Sequence, residues 1–518
     1  MHVRDREIAF ELPAHRGSFR GHLDSDDLRI RGHWIQPPAV FEGYAGYATP
    51  LTLRREAPLR WAGQIVPLED EATFYLLIQP TDEGGATAYV RDPLRNLGTQ
   101  FDGDRLWLEN GNVELTRNGV ASPLLRGRYD ARMLTFQIPG AGEVTYEFVR
   151  ADPAKDAGFL PRGRNPKPYE YRQPDRTDDG WQTTTLEEAG IDRRPIAALV
   201  SRIQNESMES LHSPDIHAVL IARHGKLVLE EYFHGFQRDT LHDTRSATKS
   251  VLSLLVGAAM LEGVQVAPSS SVYKVMRPEA FDSLDPRKRA MTLEHLMTMS
   301  SGLACDDWDP QSPGNEDTMR AQSAQPDWTR FTLDLPMTRA PGERAAYCGG
   351  GMNLAGSMLS KLAGRPIFEL FDRALAEPLQ MGLYHLNLTP TGDVFMAGGS
   401  LFRPRDFMKL AQLMLNGGVW NGRRIVSTEW ARRATSPLVT MPGKPPPSQY
   451  GYGWWVGEYP THGRKVRMFV AAGNGGEFVY AVPDLDLVVA FFAGNYYDPL
   501  QNVSTYEYMP RYILPAMK

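Results

Sequence analysis

A chain of 518 residues is too long for one ordinary hydrophobic core and predicts two domains. Its formal net charge of −6 gives no overall basic field to hold a nucleic acid, and 42% hydrophobic against 23% charged residues is the composition of a globular protein. The longest apolar runs, 251–261 and 487–493, fall short of the roughly 20 residues that cross a bilayer, so no membrane span is expected.

Residues 1–7 are polar, which predicts a cytoplasmic protein if Met1 is the native start and a periplasmic or secreted one if a signal peptide has been removed. The two cysteines, Cys305 and Cys348, are too few for a disulfide framework, lack metal-ligand spacing and leave the compartment open. G-x-S-x-G, H-E-x-x-H and phosphate-loop motifs are missing from the sequence, which removes the main rival enzyme classes.

Short alternating runs at 28–31, 73–78, 133–138 and 144–149 alternate with turn signals such as Asn110-Gly111, Asn118-Gly119 and Tyr129-Asp130. They predict that residues 1–150 form an antiparallel β meander or barrel, closed or nearly so. No catalytic constellation accompanies His22, His33 and Trp34, which read as packing or surface residues. Residues 151–184 carry prolines and charges without periodicity, the pattern of a linker. The second domain then spans 185–518, opening with a helix through Ile196 and Ile203 and a β-hairpin of strands 216–222 and 227–233.

Next comes Thr244-Arg245-Ser246-Ala247-Thr248-Lys249-Ser250, followed by an apolar run with residues 251, 254, 255, 258 and 261 at helical spacing. Ser246 falls on the first turn of a buried helix with Lys249 one turn later on the same face. A serine hydroxyl needs a base, and an unperturbed lysine with pKa about 10.4 is protonated at neutral pH. Burial and the positive helix end are expected to depress Lys249, and the Ser246 N–H at that end is placed to receive half of an oxyanion. A capping serine beside a solvent-facing lysine is the commoner use of this spacing; the apolar helix singles this instance out.

This segment and its helix resemble the active-site segment of the serine β-lactamase and penicillin-binding-protein superfamily. The similarity is to the class C branch, which also holds family VIII esterases and 6-aminohexanoate-oligomer hydrolases. The resemblance implies an α+β hydrolase domain, an antiparallel sheet flanked by helices with a helical subdomain.

The remaining landmarks follow in the family's order. Residues 291–303 read as a short helix ending at Gly302 and are similar to a structural landmark of the family. The stretch 306–337, with Trp308, Trp328 and several acidic residues but no periodicity, is a candidate substrate wall to which Trp308 contributes. Pro341-Gly342 and Tyr347-Cys348-Gly349 resemble the family's Tyr-x-Asn motif. Tyr347 corresponds to the proton-shuttling tyrosine, while Gly349 stands where the family has an asparagine that helps hold the acylamido group of β-lactams. An amphipathic helix at 405–416 and an aromatic strand at 449–456 precede the last landmark. There Asn474-Gly475-Gly476 takes the place of the family's Lys-Thr-Gly or His-x-Gly, with the Glu477 N–H as second oxyanion donor and the glycines admitting substrate close to the backbone.

The resemblance covers roughly 185–515. It implies a serine hydrolase forming an acyl-enzyme on small-molecule esters or linear amides, with β-lactamase or DD-peptidase activity, or binding without turnover, as the alternatives. No metal or cofactor is expected, and the oligomeric state is left open.

Overall fold

A computed structural model describes the chain except residues 1, 5, 38–45, 69–72, 83, 93–101, 131, 138–144, 153–157, 323–325, 444–447 and 462. The protein is α+β. Its central sheet runs, from one edge to the other, Gln182–Thr183, Lys226–Tyr232, Ile216–Arg223, Leu487–Ala493, Glu477–Val482, Arg464–Gly473, Trp455–Thr461, Gln449–Tyr450 and Val439–Thr440. All its pairings are antiparallel except that of Gln182–Thr183 with the strand beside it.

The middle strands are apolar at nearly every position because both faces of this sheet are covered. Side chains on a strand alternate between faces, so Ala218, Leu220, Val488 and Ala490 join a core with the helices Lys249–Leu261 and Pro404–Leu415. Val219, Ile221, Val489 and Phe491 face the other way, onto Ile196, Leu199 and Val200 of the helix Arg193–Gln204 and onto Tyr508 and Met509. The expected hairpin is present, its strands joined through Arg223↔Lys226. A helical subdomain includes Leu293–Met297, Trp328–Asp334 and Gly349–Ala363.

The N-terminal strands differ from a single, nearly closed meander. Those from Arg105–Glu109 to Thr145–Val149 do form an open five-stranded antiparallel meander, and the expected strand ends Ile138 and Val144 lie outside the described residues. The first five strands take another course. They run in order from His2–Arg4 to Tyr47–Ala57 and continue into Tyr384–Asn387, Leu401–Phe402 and His242–Asp243. The joint is Ala48↔Leu386 and Tyr47↔Asn387. His33 is buried there, 2.9 Å from the Tyr384 hydroxyl, and the Thr49 hydroxyl is 2.6 Å from His385 Nδ1. The sheet thus ends at His242–Asp243, directly ahead of the Ser246 turn.

A second tie comes from the hairpin of Tyr75–Pro80 and Ala86–Arg91. Its Tyr89 hydroxyl donates to the Met208 carbonyl at 2.7 Å, and Arg91 Nη2 lies 3.0 Å from Asp215 Oδ2 with both side chains essentially inaccessible. The stretch read as a linker is also anchored: the Tyr169 hydroxyl donates to Glu231 at 2.7 Å, and Asp179 accepts from Arg405 Nε at 2.5 Å.

Candidate active site

The turn Arg245–Thr248 is 3₁₀ and runs straight into the α-helix Lys249–Leu261. Arg245 has φ of +44°, a left-handed conformation that L-residues seldom adopt. Asp243 holds it there, its Oδ1 accepting the Arg245 N–H at 2.8 Å and its Oδ2 lying 3.1 Å from Arg245 Nε. The Arg245 guanidinium stacks over Tyr496, 4.8 Å from the ring centroid. On either side of Ser246, the Thr244 hydroxyl donates to Ser400 O at 2.7 Å and the Ser250 hydroxyl to Gly453 O at 2.6 Å.

Lys249 is 1% exposed. Its ammonium donates to Ser246 Oγ at 3.0 Å and to the Ala397 carbonyl at 2.5 Å, and sits 4.9 Å from the Tyr347 ring centroid. Tyr347 is clamped between aromatic planes, stacked on Trp308 at 5.0 Å with a 5° interplanar angle and on Trp455 at 6.0 Å and 17°.

The loop carrying Trp308 is bound to the loop carrying Tyr347 by three links. The Asp307 N–H donates to Tyr347 O at 2.7 Å, the Gly349 N–H donates to Asp307 Oδ2 at 2.5 Å, and Cys305 is disulfide-bonded to Cys348. Two cysteines that could not make a framework instead pin the segments holding the site's aromatic wall. Asp307 also accepts the Glu316 N–H at 3.0 Å. A Cβ placed on Gly349 would stand 2.5 Å from Glu316 Oε2 and 3.1 Å from Asp307 Oδ2, so two carboxyl groups occupy the space a side chain at 349 would take.

Those carboxyls change the electrostatics expected of the lysine. Burial works to depress Lys249, as the sequence suggested, but Tyr347, Glu316 and Asp307 outweigh it and hold its pKa above the ordinary lysine value. Burial, reinforced by Glu316, pushes Asp307 up to about 7 against the opposing pull of Lys249 and the two N–H donors. The resting arrangement is therefore an ammonium hydrogen-bonded to the serine.

Ser246, Trp308, Tyr347 and Asn474 line one open pocket of about 190 Å³, together with Asp307 and Glu316. Gly349 sits behind the two carboxyls. Gly349, Gly475, Gly476 and Glu477 are not among the residues lining this pocket; the last three follow Asn474 where Arg464–Gly473 turns into Glu477–Val482. Gly475 and Gly476 have φ of +108° and +109°, and Gly475 bridges to Asn495, whose N–H donates to Gly475 O at 2.9 Å. Trp328 belongs to the core, 2% exposed against Phe395. Among the described residues no group of three or more His, Cys, Asp or Glu could hold a metal ion.

A family model described as Beta-lactamase matches residues 207–505, more than half of the chain. The chain belongs to the Beta-lactamase family. It is 26% identical over 220 residues to the 6-aminohexanoate-dimer hydrolase of Paenarthrobacter ureafaciens, covering 41% of this chain and 55% of that protein. It is 25% identical over 313 residues to an uncharacterised protein of Mycobacterium tuberculosis, covering 49% of this chain and 77% of the relative. Among solved structures it resembles EstCE1, a hydrolase with promiscuous acyltransferase activity, at TM-score 0.47 and 17% identity, covering 59% of this chain and 97% of EstCE1. A penicillin-binding protein from Bacillus halodurans gives TM-score 0.44 and 16% identity, covering 56% of this chain and 96% of that one.

Within this family member the residues that sequence reasoning missed are Asp307, Glu316 and Trp455. The acidic content of 306–337 was a signal, but which carboxyls turn inward depends on the short helix Glu316–Arg320 and on the disulfide, neither of which has a periodic pattern.

Proposed function

We propose that the protein is a serine hydrolase that forms an acyl-enzyme on esters or linear amides of small molecules. The observation that carries this reading is the buried Lys249 ammonium 3.0 Å from Ser246 Oγ, with Tyr347 packed over it. In the proposed cycle the deprotonated amine form of Lys249 takes the Ser246 proton as Oγ attacks the carbonyl carbon, and the resulting ammonium returns that proton, relayed by the Tyr347 hydroxyl, to the leaving oxygen or nitrogen. The Ser246 and Glu477 N–H groups receive the oxyanion, and water then releases the acyl group by the same proton path. Asn474 and Trp308 line the pocket in which the substrate would lie.

The preference for esters or linear amides over β-lactams has two supports. Gly349 offers no side-chain amide to an acylamido group, and Asn474-Gly475-Gly476 lacks the cationic side chain that the resemblance places in the third motif to meet a β-lactam carboxylate. The 6-aminohexanoate-dimer hydrolase among the relatives is named for a linear amide substrate.

The test is a fluorophosphonate label followed by peptide mass analysis, beside a panel of short-chain nitrophenyl esters, linear amides and a chromogenic cephalosporin. The reading expects the added mass on the peptide carrying Ser246 and turnover of esters or amides above the cephalosporin. Mass on another residue refutes the nucleophile, and faster cephalosporin turnover refutes the substrate class.

A further inference from the structure

Glu477 is 1% exposed, and the acyl-enzyme reading uses only its backbone N–H. Its side chain lies among the Gly473–Gly475 turn, Tyr496 and the segment from His242 to Arg245. A Cβ on Gly475 would stand 2.8 Å from Glu477 Oε1 and 2.5 Å from the Tyr496 ring, so the carboxyl lies directly under the Gly475 turn. A Cβ on Gly473 would lie 3.2 Å from both Glu477 Cβ and Arg245 Cβ, which puts the side chain against the turn ahead of Ser246. His242 Nδ1 is 3.8 Å from Glu477 Oε1.

The charged and titratable groups facing this carboxyl are His242, Asp243, Arg245 and Tyr496, and the guanidinium among them is shared with the Asp243 carboxylate. Arg245 is engaged with Asp243 at 3.1 Å and with the Tyr496 ring. His242 Nδ1 donates to its neighbour's carbonyl, Asp243 O, at 3.0 Å, leaving its Nε2 to accept from His217 Nδ1 at 2.8 Å, the bonding pattern of a neutral ring. Burial pushes His242 down to about 3. The Tyr496 side chain is the hydrogen-bonding neighbour of the Glu477 carboxyl, and the nearest imidazole nitrogen, His242 Nδ1, stays 3.8 Å away. A carboxylate there would be a buried anion beside Asp243 that Arg245 and Tyr496 only partly offset, whereas a carboxylic acid has no charge to desolvate and can share a hydrogen bond with Tyr496. Burial and the neighbouring Asp243 carboxylate accordingly raise the Glu477 pKa well above the ordinary glutamate value.

We propose that the Glu477 side chain is an uncharged carboxylic acid that acts as a positioning residue, locking the Gly473–Glu477 turn to Tyr496 and to the Asp243–Arg245 turn so that the Glu477 N–H stays aimed at the carbonyl attacked by Ser246. This rests on the acyl-enzyme reading. Gly475 is part of the same device, since any side chain there would displace the carboxyl it covers.

The test compares full-length wild type, Glu477→Ala and Glu477→Gln on a nitrophenyl ester. Glutamine has the shape and neutrality of the acid and keeps the backbone N–H. Glu477→Ala is expected to lose at least tenfold in kcat with KM little changed, because a misaimed donor weakens only the transition state. Glu477→Gln is expected to rescue all but about threefold of that loss. The infrared difference between wild type and Glu477→Gln at pH 8 should show loss of a protonated-carboxyl C=O band. Loss of a carboxylate band, a Gln variant as impaired as the Ala variant with both folded by circular dichroism, or an Ala variant with wild-type kcat each overturns the proposal. Failure of the underlying reading is distinguished by the wild-type protein: if fluorophosphonate does not label Ser246, the acyl-enzyme reading falls irrespective of these variants.

Discussion

Replacing Arg91 by methionine keeps an unbranched, flexible, though shorter, side chain and removes its charge, leaving Asp215 buried without its cation. Both partners are essentially inaccessible, at 0% and 1% side-chain exposure with 3.0 Å between Arg91 Nη2 and Asp215 Oδ2. Breaking such a pair from one side costs about 3–5 kcal/mol, since the surviving charge keeps its desolvation penalty and loses its partner. The loss depends on pH. Burial opposes ionisation of Asp215, but Arg91, then His234 and His217, more than reverse it and hold its pKa well below the ordinary carboxylate range. A depressed carboxylate contributes stability above its unfolded pKa of about 3.9 and loses it as pH falls toward the folded value. The gap between wild type and Arg91→Met is therefore widest at pH 6–8 by this linkage and closes on acidification. Urea unfolding followed by circular dichroism measures it, with Arg60→Met, at a surface pair 76% and 47% exposed, as the control expected to match wild type. A loss of less than about 1 kcal/mol at pH 7 would refute the reasoning, because it would mean that Asp215 is solvated or neutral.

Four further outcomes follow from the same structure. A fragment beginning at residue 185 loses both Arg91 and the strand that pairs with Tyr384–Asn387, so it should be recovered unfolded or aggregated; a soluble, cooperatively folded fragment by circular dichroism and gel filtration would contradict this. Lys249→Arg should reduce ester turnover by at least 100-fold, nearly as far as Lys249→Ala, because a guanidinium stays protonated and cannot act as a base, and steady-state kinetics on the two variants decide it. Asp307→Asn removes one of the anions that keep Lys249 protonated, so the acidic limb of kcat/KM should move to lower pH, an effect that emerges above pH about 7 where Asp307 is ionised; an unmoved limb would argue against Lys249 as the titrating base. Gly349→Ala should cost less than about 1.5 kcal/mol in stability because the group it meets at 2.5 Å is the flexible end of Glu316, yet it should change KM across the ester panel as that carboxyl is displaced.

The sequence by itself determined the local chemistry and the order of the elements. A serine and a lysine three residues apart at the head of an apolar helix, the hairpin before them, the helix over Pro404–Leu415 and the alternating strand runs are all written in short-range periodicity. Family membership is legible for the same reason, since its landmarks are contiguous segments in fixed order. What only the tertiary structure decided are relations between residues far apart in the chain. The pairing of Tyr47–Ala57 with Tyr384–Asn387, the Arg91–Asp215 contact and the Cys305–Cys348 bond leave no periodic trace, because each partner's own neighbourhood reads the same with or without it. The charge on Lys249 shows this most clearly. Burial alone depresses an ammonium, and burial was what the apolar helix implied. The sign was set instead by Glu316, Asp307 and Tyr347, brought from 58 to 98 positions downstream, because electrostatic interaction depends on distance through space and on the local dielectric, not on separation along the chain.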